Sequence, residues 1–283
     1  MKLNCGNRIL DLSLPRVMGI LNVTPDSFSD GGRFNSLDMA LTHAQQMMND
    51  GAVILDVGGE STRPGAAPVS EQEELDRVIP VVEKIAASLD VVISVDTSNA
   101  RVMRESAAAG AHIINDVRSL IRPGALEAAA ACGLPVCLMH MNGEPQVMQQ
   151  APQYELPVEE AVVGFLKAAI ERCTSAGLDR SRILLDPGFG FGKTHEHNYR
   201  LLNRLEVLNK LGLPVLAGLS RKRMIGEATA KSAADQRVIG SVSGAVICAL
   251  KGAKILRVHD VKETAEAIRV VCAMLQEGSE RRK

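Results

Sequence analysis

A closed (β/α)8 barrel is the architecture this sequence predicts, on three observations. Eight short apolar runs recur along the chain, and each ends on polar or charged residues. A parallel strand buried on both faces reads as such a continuous apolar run. Most of the runs are separated by segments with helical periodicity, and strands alternating with helices indicate βαβ units. The chain has 283 residues, which suits one barrel of about 250 residues with short additions. In that fold the carboxyl ends of the strands converge on one face, which carries the active site. The polar run ends are therefore expected to meet in one pocket.

The elements follow in order. Residues 3–14 hold Gly6-Asn7 with Ile9, Leu10, Leu12 and Leu14 after it, a hairpin that could plug the barrel bottom. The strands are expected at 17–21, 52–57, 91–95, 112–115, 135–139, 183–185, 214–219 and 254–258, with a first helix near 37–49. Ser70 and Glu73 have capping-box spacing, and Leu75, Val78, Ile79, Val82 and Ile85 then share a helical face. Pro80 predicts a kink or an early break there. Asp260 and Glu263 repeat the capping spacing and open a last helix to about Gln276. One domain over 1–283 is expected, with the hairpin in 1–15 and a frayed charged tail at 278–283.

Bulk numbers narrow the function. A formal net charge of -1 argues against a nucleic-acid surface. There is no run of 18 apolar residues and no charged segment followed by an apolar stretch at the start, so neither a membrane span nor a signal peptide is expected. Six scattered cysteines, none in a CxxC pair, predict reduced core thiols in a cytoplasmic protein. With no Trp, 5 Phe and 2 Tyr, a flat ligand must stack on Arg, Met and aliphatic side chains.

The polar run ends carry the chemistry. Asp96 and Asp186 end strands three and six, where carboxylates can accept from an N–H-rich ligand edge or fix loops and cap helices. Asn115 offers a donor and an acceptor. Lys222, beside Ser220 and Arg221, supplies a donor at a buried strand end, where an unpartnered charge is costly. Arg257 and His259 lie two residues apart and so share one strand face. Near Asn22 and Thr62 they suit an anion, since the last strands of barrels often hold phosphate; the alternative for the pair is a salt bridge to a neighbouring Asp. Asp56, Asp116 and Asp260 are expected as supporting or capping residues. The run 187–194, PGFGFGKT, resembles a P-loop but has Pro187 where the first glycine belongs, so it is expected as a tight loop that brings backbone and Phe to a ligand. The histidines show no zinc spacing. A divalent ion held mainly by substrate phosphates stays open.

The segments 22–32 (NVTPDSFSDGG) and 56–65 (DVGGESTRPG), continued by DPGFGFGK at 186–193, SRK at 220–222 and RVHD at 257–260, resemble the signature segments of the bacterial dihydropteroate synthase family. The resemblance covers nearly the whole chain and is close to the enterobacterial enzymes; the stretches 143–166 and 227–235 diverge. It implies the joining of 6-hydroxymethyl-7,8-dihydropterin diphosphate to p-aminobenzoate, giving 7,8-dihydropteroate and diphosphate. It also implies a Mg²⁺ ion near Asn22, sensitivity to sulfonamides and a homodimer through the outer helices.

Carried over residue by residue, the resemblance assigns Asp96, Asn115, Asp186 and Lys222 to the pterin, with Val117, Met139, Phe191 and Gly218 as walls and Arg257 stacked on its face. It assigns Asn22, Thr62, Arg257 and His259 to the diphosphate. Phe28, Thr62, Arg63, Pro64, Ser220 and Lys222 would shape the p-aminobenzoate site. Asp96, Lys222, Arg257 and His259 are the catalytic candidates of a dissociative substitution. The long glycine-containing loops 22–36 and 58–69 suggest that p-aminobenzoate enters last. A methyl transferase acting from methyltetrahydrofolate to a corrinoid protein would share the Asp and Asn strand ends. It would not need the STRPG segment or the Arg257–His259 pair. A non-catalytic pterin-binding barrel should have lost residues of the diphosphate site, and all are present.

Overall fold

The structure, a computed structural model, describes residues 1–24, 32–60, 69–143 and 152–280. A two-stranded antiparallel hairpin, β1 (Lys2–Cys5) and β2 (Arg8–Asp11), comes first. Then β3 (Arg16–Asn22), β4 (Ile54–Gly58), β5 (Val92–Asp96), β6 (Ile113–Asp116), β7 (Val136–Met139), β8 (Ile183–Asp186), β9 (Leu216–Ala217) and β10 (Ile255–Val258) form one parallel sheet. Its order is β8-β7-β6-β5-β4-β3-β10-β9. A single parallel bridge, Leu185 to Val215, joins its two ends into a nearly closed barrel.

Around it run α1 (Gly32–Asn49), α2 (Glu71–Ser88), α3 (Ala100–Ala108), α4 (Ala125–Cys132), α5 (Val158–Ser175), α6 (His195–Asn203), α7 (Arg223–Thr229), α8 (Val238–Leu250) and α9 (Val261–Glu280). The last helix passes the expected end near Gln276 and continues through Gly278 to Glu280.

Two local expectations are corrected. The helix over Pro80 does not break: α2 runs from Glu71 to Ser88 through it. An interior proline costs about 3 kcal/mol. Buried Leu75, Val78, Val81, Val82 and Ile85, at about 1.5–3 kcal/mol each, outweigh that. The capping box closes as expected: Glu73 N donates to Ser70 Oγ at 3.3 Å, and Ser70 N to Glu73 Oε2 at 3.1 Å. The seventh barrel strand, expected over 214–219, is paired only at Leu216–Ala217 beyond the bridge at Val215. Pro214 has no N–H to donate, and beyond Gly218 the chain turns, with Arg221 at φ 59°.

The barrel interior is layered, and the layers place the site. One set of buried residues takes a single member from each barrel strand: Met18, Ile54, Val92, Ile113, Cys137, Leu184, Leu216 and Ile255. It packs on Leu3, Cys5, Leu10 and Leu12 of the hairpin segment, which therefore seals the amino-terminal end as expected. His112 ties the turn down. Its Nδ1 accepts the Ile93 N–H at 3.1 Å, and its Nε2 lies 3.1 Å from both Arg8 Nε, at the turn's edge, and Asn7 Oδ1. The intervening strand residues, such as Leu55, Val57, Ile93 and Val95, face the helices in the main core.

Side chains two apart on a strand share a face. One step above the apolar layer therefore come Ile20, Asp56, Ser94, Asn115, Met139, Asp186, Gly218 and Arg257, and a further step gives Asn22, Asp96, Val117, Gly188, Ser220 and His259.

Candidate active site

At the floor of the carboxyl-terminal face, Asp56 is fully buried. It accepts from Arg257 Nε at 2.6 Å, from Ser94 Oγ at 2.6 Å and from Asn115 Nδ2 at 3.2 Å. Arg257 Nη2 reaches on to Asp96 Oδ2 at 2.9 Å. One guanidinium thus bridges two carboxylates from neighbouring strands, a charge-assisted pair in a desolvated setting. Both carboxylates hold the Arg257 pKa above its usual value against burial. Burial pushes Asp96 up to about 7, with Arg257 drawing it down and Asp56 adding to the rise.

Across the floor, Asp186 is buried and accepts the Gly188 N–H at 2.7 Å. Burial raises its pKa, while the Lys222 charge lowers it. Burial likewise lowers Lys222 to about 8, with Asp186 opposing. Lys222 Nζ donates to Phe189 O at 2.5 Å and sits 4.5 Å from the Phe191 ring centroid, a cation–π distance. The left-handed turn at Arg221 separates the directions of its neighbours. Ser220 Oγ accepts the His259 N–H at 3.2 Å, while Lys222 reaches the 189–191 loop. The Arg221 guanidinium goes to Asp260, 3.1 Å from Nε to Oδ2. The carboxylate expected to cap the last helix therefore braces this turn.

The PGFGFGKT segment is a loop, as expected, and its lysine does not point at a phosphate. Lys193 is 2% exposed. Its Nζ lies 2.7 Å from Gly188 O, 3.1 Å from Phe191 O and 2.9 Å from His140 Nδ1. Burial and the neighbouring Lys193 charge lower His140 to about 3, so it stays neutral and accepts. The glycines are required. A Cβ on Gly188 would lie 1.9 Å from His140 O, and one on Gly192 2.1 Å from Asn142 O. Both also hold positive φ, at 65° and 63°. The loop can lie against the β7 exit only without side chains there.

Of the residues singled out in the sequence, Asn115, Asp186 and Arg257 meet on this floor, with Asp96 one layer up on the Arg257 guanidinium and Lys222 near Asp186. Val117 and Met139 are buried in its wall, and Gly218 backs onto Arg257, whose Cβ would be 3.6 Å from a Cβ placed on the glycine. Asn22, Ser220 and His259 stand one layer higher. Asn22 Oδ1 lies beside Gly58, 3.9 Å from where a Cβ would be. Phe28, Thr62, Arg63 and Pro64 lie outside the described residues.

Arg257 takes the salt-bridge alternative, paired with two Asp residues at once. Asp116 supports a turn as expected, accepting the N–H groups of Arg118 and Leu120 at 2.8 Å each. Asp56 does not merely support the site: it is the centre of the cluster. Its signal was available, since it lies two residues beyond Ile54 in phase with the interior. Lys193 and His140 gave no such signal, because their contact depends on how two loops cross.

Among the described residues no group of three His, Cys, Asp or Glu could hold a metal ion. Among the described residues the Asn22 oxygen, in the outer layer, is one that suits a hard cation, which fits an ion whose remaining ligands are mostly phosphate oxygens and water. No helix among the described residues is long and apolar enough to cross a membrane.

Residues 18–259 match the family model described as pterin binding enzyme. The dihydropteroate synthase of Escherichia coli strain K12 is 59% identical over 282 residues, covering all of this chain and 99% of that protein. The structure of the Yersinia pestis dihydropteroate synthase with a sulfonamide drug superimposes with a TM-score of 0.93 at 59% identity, over 98% of this chain and 100% of that one. The Xanthomonas albilineans dihydropteroate synthase in complex with 7,8-dihydropteroate gives 0.89 at 48% identity, over 97% and 99%.

Proposed function

The chain belongs to the pterin-binding enzyme family and has its dihydropteroate synthase activity, joining 6-hydroxymethyl-7,8-dihydropterin diphosphate to p-aminobenzoate with release of diphosphate; from that premise we propose how its own residues divide the work. The observation that carries the assignment is the set of acceptors at the barrel floor and one layer above it, Asn115 and Asp186 with Asp96, within reach of the Lys222 charge. A dihydropterin presents several N–H donors along one edge and a carbonyl beside them. Asp186, Asn115 and Asp96 take the donors and Lys222 the carbonyl, while Val117, Met139, Phe191 and Gly218 line the slot. Arg257 leaves its two carboxylates, stacks on the ring and, with His259, Asn22 and Thr62, holds the diphosphate. Phe28, Thr62, Arg63, Pro64, Ser220 and Lys222 surround p-aminobenzoate, which binds after the pterin substrate. A sulfonamide competes there because it offers a similar aniline.

The substitution is dissociative. The bond from the pterin methylene to the diphosphate oxygen breaks first, the ring stabilises the cation, and the amine then attacks and loses a proton. Arg257 and His259 offset charge on the leaving diphosphate, and Asp96 favours the cation. No protein nucleophile takes part, so rate comes from position and fixed charge. Asn22 would contribute one oxygen to Mg²⁺ carried by the diphosphate, which would neutralise leaving-group charge when bound.

Two features of context complete the reading. The chain forms a homodimer through its outer helices, supported by exposed Ile239, Ile247 and Leu250 on α8. Ile239 and Ile247 line a groove of 390 Å³ with Tyr199, Ile225 and Gly240. It works in the cytoplasm, supported by six free cysteines, four of them buried. Diphosphate release from the pterin substrate, measured with and without p-aminobenzoate, tests the activity. Scrambling of an ¹⁸O label from the bridging position without p-aminobenzoate tests the order of bond changes; retained label would mean that the amine attacks before the bond breaks. Mass measurement by light scattering checks the dimer.

A further inference from the structure

We propose that Asp56, which would touch no ligand atom, is the positioning residue that sets the hydrogen-bonding polarity of the pterin slot by fixing which way the Asn115 amide faces. The inference rests on the pterin reading above and deepens it. A carboxylate is acceptor-only, so the end of Asn115 that meets Asp56 must be its Nδ2. The distances are 3.2 Å to Oδ2 and 3.4 Å to Oδ1. Among the described residues nothing donates to Asn115 Oδ1, and this oxygen is left for the slot. The amide rotor of a neutral Asn could otherwise settle either way. Facing donor-out, it would set an N–H against the N–H edge of the pterin.

Asp56 can impose this because it cannot turn away itself. It is fully buried, and Ser94 Oγ holds its Oδ1 at 2.6 Å whether or not Arg257 Nε, 2.6 Å from Oδ2, stays in place. The same carboxylate thus holds Arg257 in the free chain and sets the acceptor that remains when Arg257 moves.

Exchanging the two side chains tests this. In Asp56→Asn the new amide can donate to Asn115, which lets Asn115 turn its own N–H into the slot. Adding Asn115→Asp makes position 115 an acceptor whichever way it turns; the amide at position 56 then keeps its oxygen on Arg257 Nε and donates to position 115 from the Oδ1 side, 3.4 Å away, where the Ser94 hydroxyl turns to accept. Charge and side-chain volume on the floor are then conserved. Calorimetric titration with 6-hydroxymethyl-7,8-dihydropterin, which lacks phosphates, reads the slot alone.

Asp56→Asn should weaken this ligand tenfold or more, and the double exchange should return it to within threefold of the unsubstituted chain. A rise in KM for the pterin diphosphate should follow the same pattern, with thermal midpoints recorded for each variant. Wild-type affinity in Asp56→Asn, or a double exchange no tighter than the single one, overturns the proposal. If Asp56→Asn does not fold, the double exchange decides alone: affinity within threefold supports the proposal, and anything weaker overturns it. An unsubstituted chain that fails to bind the pterin would instead overturn the reading of the slot itself.

Discussion

The two ends of the barrel are built on the same strands two residues apart, and they differ in almost every physical respect. Met18, Ile54, Val92, Ile113, Cys137, Leu184, Leu216 and Ile255 form a dry apolar layer closed by the hairpin. One step along, three of those strands carry Asp56, Asp186 and Arg257 instead, with Asp96, Lys222 and His259 above them. The lower layer gains stability from burial alone. The upper floor holds two buried carboxylates, Asp56 and Asp186, and the partly buried Asp96 near one arginine and one lysine, an arrangement that opposes its own burial: Asp96 and Asp186 rise and Lys222 falls for want of solvent. The lower layer supplies the rigidity that lets the upper one keep charges in place for a ligand.

The comparison can be broken from either side. The largest effect is expected from Asp186→Asn, which sets a donor against ligand N–H groups. Pterin affinity should fall by at least a hundredfold, about 2.7 kcal/mol, with no loss in thermal midpoint. Calorimetry beside a melting curve checks both, and a stable protein with unchanged affinity would remove Asp186 from the slot. Leu12→Ala, at a fully buried hairpin-segment position, should do the opposite: about 2–5 kcal/mol less stability by denaturant titration, with kcat/KM within twofold. A large fall in kcat/KM at conditions where the variant is fully folded would show that the ends are not separable.

The pH dependence sharpens the contrast. The folded Asp96 pKa of about 7 lies above the ordinary 3.8. A raised folded value means that its contribution is fully present below the ordinary pKa and is lost as pH rises through the folded one. Between pH 4 and pH 7.5 the chain should therefore lose about 3–4 kcal/mol relative to Asp96→Asn. Parallel stability curves for the two proteins would count against a desolvated Asp96. The smallest effect is expected from His259→Ala, which should weaken the pterin diphosphate about tenfold, roughly 1.4 kcal/mol, and the phosphate-free pterin hardly at all. Equal losses for both ligands would place His259 against the ring.

Much of the fold and site was legible because local rules and the global fold agree. The sealing hairpin followed from Gly6-Asn7 and its apolar followers, and the α2 capping box from Ser70 and Glu73. Period two brought Arg257 and His259 to one face. The same period, extended from Ile54, reaches Asp56, but its central position emerged only when β4, β5, β6 and β10 were side by side. Pro80 misled because the penalty for an interior proline is local, whereas the apolar face that overrides it is buried by tertiary packing.

The sequence by itself determined the alternation of strands and helices, the face on which the polar ends gather and, through its signature segments, the chemistry. These depend on residue type and spacing along the chain. Only the tertiary structure decided that Arg257 rests between Asp56 and Asp96, that Asp260 braces Arg221, and that Lys193 is enclosed by the carbonyls of its own loop with His140. Each of those choices is a competition among buried charges for a few partners. Its outcome depends on distances between strands and loops far apart in sequence, which no local pattern encodes.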